Sequence, residues 1–122
     1  GGIERFGLPK QGGVPASQAV KADGWLFVAG QVPKNAEGEF VVGGIAEQAR
    51  QTLDNLMKTL RQAGYGPEDV VEVNVWLDDP RDFRIYSQYF SIEHAPARVT
   101  VQGHMMNDFK VEMDCVAWKE PR

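Results

Sequence analysis

Residues 45–63 read IAEQARQTLDNLMKTLRQA, and residues 70–77 read VVEVNVWL. The two stretches differ in hydrophobic period, and that difference sets the fold class. In the first, Ala46, Ala49, Leu53, Leu56, Leu60 and Ala63 recur at spacings of three and four, a single apolar stripe on a helix. Glu47, Arg50, Asp54, Lys58 and Arg61 fall on the opposite face. Gly64 stands where a left-handed residue ends a helix, and Gly66-Pro67 forbids continuation. The second stretch alternates, with Val71, Val73, Val75 and Leu77 on one side and Val70, Glu72, Asn74 and Trp76 on the other, as in a strand.

Working outward, Asp79-Pro80 reads as an N-cap followed by proline at the first helical position. A second, shorter helix is expected from there to Ser91, packing through Phe83, Tyr86, Tyr89 and Phe90. Strands are expected at Ile3–Phe6, Gln18–Lys21 and Trp25–Ala29, with a hairpin closing through residues 34–38. Arg98–Gly103 and Phe109–Trp118 read as two more strands, separated by turn material at Met106-Asn107-Asp108. The pattern predicts an α+β domain spanning 1–122, one six-stranded sheet with two helices on one face. The long helix fits a right-handed crossover between two parallel strands.

In the last strand, Phe109, Val111, Met113, Cys115 and Ala117 share the helix-facing side, and Lys110, Glu112, Asp114, Val116 and Trp118 share the other. Trp76 and Leu26 are assigned to that second side as well. Large apolar residues on a sheet face without helices call for a covering partner, so a homo-oligomer with sheets packed face to face is expected.

The composition of the 122 residues, 43% hydrophobic and 25% charged, is that of an ordinary globular domain rather than a disordered one. No apolar run is long enough to span a bilayer, and no charged-then-apolar leader is visible, so no membrane partner is expected. Thirteen Lys and Arg against seventeen Asp and Glu give a net charge of −4, and the cations are scattered. A nucleic-acid backbone would find no basic stripe to follow. One cysteine, Cys115, allows no internal disulfide and fits a reducing, cytoplasmic setting, where its place on the helix-facing side makes it an inert core thiol. With only His94 and His104 beside it, no metal site is expected, and both histidines read as surface or capping residues.

Two residues stand out as carriers of chemistry. Arg98 follows Pro96-Ala97 at the entry to a strand, and its planar fork suits a carboxylate. Asp114 lies mid-strand, where a carboxylate needs a partner to offset its desolvation. If the last two strands pair as a hairpin, counting outward from Asn107 sets Asp114 near Thr100 and Arg98. A surface ion pair of Arg98, or an Arg98–Asp114 structural pair, remains an open reading at this level. Gly30, in Val28-Ala29-Gly30-Gln31-Val32-Pro33, gives a backbone that a ligand can approach closely, or an ordinary strand end.

Val14-Pro15-Ala16-Ser17-Gln18-Ala19, the segment from Val28 to Pro33, the helix from Ala46 to Leu56 and Pro96-Ala97-Arg98 together resemble the Rid family, also called YjgF-like or L-PSP proteins. The resemblance runs from about Ile3 to Trp118. It implies a chorismate-mutase-like fold and a homotrimer with its sheets in the centre and sites between subunits. It also implies cofactor-free hydrolysis of reactive enamines and imines, such as 2-aminoacrylate, to 2-keto acids and ammonia. Under it, Arg98 holds the substrate carboxylate, Asp114 falls where relatives carry a water-handling Glu, and Thr100, Gly30 and Ala29 line the site. The chain departs from the family at Ala16, where a site tyrosine is usual, in the shortened segment around Phe83–Tyr86, and in Asp for Glu. A non-catalytic keto-acid binder and an RNA-cleaving enzyme are the competing expectations.

Overall fold

The computed structural model describes residues 2–79 and 83–121. Six strands form one mixed sheet: β1 (Ile3–Phe6), β2 (Ala19–Ala22), β3 (Trp25–Gln31), β4 (Val70–Leu77), β5 (Ala97–Gln102) and β6 (Val111–Trp118), in the order β1-β2-β3-β6-β4-β5. Every neighbouring pair is antiparallel except β4 and β5, which run parallel. The one long helix among the described residues, α1 (Ile45–Gln62), joins β3 to β4. These strands run in the same direction but do not touch, because β6 fills the space between them.

The helix forms where its period predicts. Glu47 Oε2 accepts the Gly44 N–H at 3.0 Å, satisfying one free donor at the first turn. At the other end Gly64 takes φ 86°, and the Tyr65 N–H returns to the Leu60 carbonyl at 2.9 Å. Ala49, Leu53, Leu56 and Leu60 are fully buried against the sheet. Ala46 is not part of the stripe: it is exposed, and Thr52 and Met57 complete the buried face instead.

The second helix is shorter than expected. Among the described residues the segment forms a 3-10 helix at Arg84–Gln88, and the Pro80 half of the predicted cap lies outside them. Phe83, Ile85, Tyr86 and Tyr89 still pack on the core, so this segment covers the same sheet face as α1. That face also carries Leu26, Val28, Val73, Val75, Leu77, Val111, Met113, Cys115 and Ala117, all buried.

Two strand readings change. A bulge between Val70 and Glu72 turns Val70 into the core and leaves Val71 exposed, reversing their expected sides. Leu26 belongs to the core, and its neighbours Trp25 and Phe27 occupy the open face. Opposite them across β6 are Trp118 and Val116. The predicted hairpin loop does close: Lys34 bridges Phe40, and Asn35 Oδ1 accepts the N–H groups of Glu37 and Glu39. The Met106–Asp108 turn places Asn107 and Asp108 in the left-handed region. It does not make a hairpin of β5 and β6, because β4 separates them.

Candidate functional site

Register across the sheet sorts the candidate residues onto two faces. Arg98 pairs with Val73, and Val73 with Cys115; both partners are buried on the helix side. Thr100 pairs with Val75 on the same side. Asp114 pairs with Asn74, and Glu112 with Trp76, on the open side. Arg98 and Asp114 therefore project from opposite faces of one sheet. The β5–β6 hairpin that would have set them together is not formed, and the structural ion pair between them goes with it. Asp114 Oδ1 instead accepts a hydrogen bond from Asn74 Nδ2 at 2.8 Å.

Arg98 stands on the sheet's edge strand, all six residues of which are exposed. Its guanidinium is nonetheless seated. Cζ lies 4.6 Å from the centre of the Tyr86 ring and 5.8 Å from that of Phe83. Tyr86 stacks in turn on Phe90 with centroids 4.8 Å apart. Burial raises the Tyr86 hydroxyl above its ordinary pKa, with the Arg98 charge opposing. The phenol is thus kept neutral beneath a cation.

On the open face, β3 bulges between Val28 and Gln31, so Ala29 and Gly30 span the gap facing Asp114. Gly30 leaves room for a close approach: a Cβ there would stand 2.5 Å from Glu112 Oε2, at the far end of that side chain. Glu112, half-buried, carries a carboxyl whose pKa is raised by desolvation first and by the neighbouring Asp114 charge second. This is the functional candidate that sequence reasoning passed over in favour of Asp114. The signal was present, since both lie on the same alternating face, but the register sets Asp114 opposite Gly30 and only the side-chain placement shows that Glu112 is the one that meets it.

The strand end that carries Gly30 is held by α1. Asn55 Nδ2 donates to the carbonyls of Val32 and Lys34 at 2.9 and 2.8 Å, and Gln31 Nε2 donates to Gln18 Oε1 and the Ala29 carbonyl. A cleft of ≈ 620 Å³ opens here, bounded by Gly30, Val32, Lys34, Asn55 and Lys58. Of the remaining candidates, Cys115 is buried and its thiol is pushed up to about 12, which leaves it unreactive. His94 meets Ser91 Oγ at 3.3 Å, and the almost fully exposed His104 meets Asp78 at 3.2 Å, both at the surface.

Comparison with known proteins matches residues 13–119 to a family described as Endoribonuclease L-PSP. A RutC family protein of Pyrococcus horikoshii is 43% identical over 112 residues, covering 87% of this chain and 88% of that protein. The human 2-iminobutanoate/2-iminopropanoate deaminase is 36% identical over 113 residues, covering 88% of this chain and 82% of the human protein. The crystal structure of a Rid-family protein from Yersinia pestis superposes with a TM-score of 0.86 at 28% identity, covering 97% of this chain and all of that one.

Proposed function

Because the chain belongs to the endoribonuclease L-PSP, or Rid, family, we propose that it hydrolyses small 2-imino acids, and the enamines that tautomerise to them, to 2-keto acids and ammonia. The observation that carries the reading is Glu112: a carboxyl with an elevated pKa, set against Gly30 on a sheet face that no helix covers.

The chemistry is undemanding. A protonated C=N is electrophilic, and water adds to it without further activation of the carbon. Arg98 binds the substrate carboxylate through two parallel N–H bonds. Glu112, as carboxylate, takes a proton from the attacking water as the C–O bond forms. It returns that proton to nitrogen, and as the tetrahedral carbinolamine expels ammonia and the carbonyl forms, the freed carboxylate takes the hydroxyl proton and passes it to the departing ammonia as ammonium. A carboxyl with a raised pKa serves both halves of this cycle better than an ordinary one. Asp114, pinned by Asn74, supplies the charge that helps hold Glu112's pKa up. Thr100, Ala29 and Gly30 line the site.

Arg98 and Glu112 project from opposite faces, so one chain does not bring them together. A second copy does so where the edge strand β5 that carries Arg98 meets the partner's open face. The exposed Trp25, Phe27, Val99, Val101 and Trp118 give that face the apolar surface an interface needs. We take the assembly to be a homotrimer with a site at each junction. The family description names RNA cleavage. With a net charge of −4 and scattered cations, this chain offers a phosphate backbone little to follow, which puts the imine reading first.

The test is to generate the imine of a small amino acid in situ with an amino-acid oxidase and time keto-acid release. The protein should accelerate release well above the buffer rate, and Arg98→Ala and Glu112→Gln should each abolish the acceleration. No acceleration by the parent, together with tight binding of pyruvate, would make the protein a keto-acid binder instead.

A further inference from the structure

We infer that Tyr86, assisted by Phe83, is the positioning residue that orients Arg98 for its carboxylate. The inference rests on the reading of Arg98 above and deepens it. An arginine on an exposed edge strand is a flexible side chain, and a flexible clamp loses affinity each time it is ordered by a ligand. The chain around Arg98 removes that freedom in advance. The Tyr86 ring lies 4.6 Å from Cζ and the Phe83 ring 5.8 Å, while the two rings sit 5.5 Å apart and tilted by 39°. Together they form a notch for the guanidinium. Behind Tyr86, the buried Phe90 stacks on it and fixes its place.

A cation–π contact uses the charge of the guanidinium and not its N–H donors, so the donors stay free for a carboxylate. The Tyr86 hydroxyl lies near enough to the Arg98 guanidinium for the cation to oppose the rise in its pKa, but it makes no well-aligned hydrogen bond there. It is sealed from solvent. The ring is therefore the larger part of the seat, and a phenylalanine should keep most of it.

The experiment compares the parent with Tyr86→Leu, Tyr86→Phe, Phe83→Leu and Arg98→Ala in two measurements. In the first, pyruvate is titrated and KM and kcat for the in situ imine are separated. Tyr86→Leu should weaken pyruvate binding and raise KM by about tenfold with a smaller change in kcat. Phe83→Leu should do less, and Tyr86→Phe should retain most of the parent's affinity. In the second, the Arg98 Nε–H resonance of the unliganded protein is recorded. It should be shifted upfield by the ring current in the parent and in Tyr86→Phe, and return toward the free value in Tyr86→Leu.

A folded Tyr86→Leu that binds pyruvate like the parent overturns the inference, and so does a Tyr86→Phe as weak as Tyr86→Leu. Should Tyr86→Leu fail to fold, an unshifted Arg98 resonance in the parent overturns it and a shifted one that relaxes in Phe83→Leu supports it. An Arg98→Ala variant that binds pyruvate as tightly as the parent removes the carboxylate reading itself, and the resonance then still decides whether the seat exists.

Discussion

Arg98 and Glu112 face opposite sides of one sheet, the first in register with Val73 toward the core and the second with Trp76 toward the open face. A reaction that needs both must borrow one of them from a second copy. Co-expressing Arg98→Ala chains with Glu112→Gln chains should then restore activity that neither variant has alone. Random assembly of equal amounts leaves about a quarter of the junctions with both residues intact. A mixture as inactive as its components would place the two residues in separate sites.

Gly30→Ala probes the packing of β3 against Glu112. The added Cβ meets the far end of a flexible carboxylate rather than backbone, so the side chain swings away and the fold survives. Stability should change by less than about 1 kcal/mol. Turnover should fall by about 10–100-fold, because a proton-transfer group has been displaced. Chemical denaturation and imine kinetics on the same preparation check both.

The raised pKa of Glu112 makes a signed prediction about stability. Burial and the Asp114 charge both favour the protonated form, so the folded pKa lies above the ordinary 4.5. Glu112 therefore contributes fully at pH below about 4.5, and that contribution is lost as pH rises through its elevated folded value. Glu112→Gln, neutral throughout, should gain stability relative to the parent as pH is raised across that window. Asp114→Asn should move the window to lower pH. Urea unfolding at a series of pH values measures both; a parent and Glu112→Gln that track each other would mean that the carboxyl is not perturbed.

The open face should be an interface. Phe27 is 49% and Val99 51% exposed in the isolated chain, on strands three places apart. Phe27→Lys or Val99→Lys should dissociate the assembly with little effect on the monomer's fold, since neither side chain is in its core. Light scattering on the parent and both variants reads this directly, and a monomeric parent would refute it.

The elements themselves were legible because period is a local property. The α1 stripe, the Gly64 stop and the alternation of β6 all follow from neighbours a few residues apart. Pairing is not local. Nothing between Arg98 and Asp114 announces that β4 lies between their strands, and a short turn at Met106–Asp108 argued for the wrong partner. The bulges at Val70 and Gly30 were hidden for a related reason: each shifts sides by one residue to suit the neighbouring strand. The aromatic run from Phe83 to Phe90 showed its apolar face but not its length. A 3-10 segment with one exposed cation over it has the same composition as a short α-helix. The seat of Arg98 needed three-dimensional placement of both.

The central position of β6 has a kinetic meaning. Val111–Trp118, last of the six strands to be synthesised, separates β3 from β4 and pairs with both. Until it arrives, β1-β2-β3 and β4-β5 are two fragments with bare edges and an open seam between them. Assembly on the ribosome thus waits for β6 to emerge, and until then the half-made chain carries unpaired strand edges.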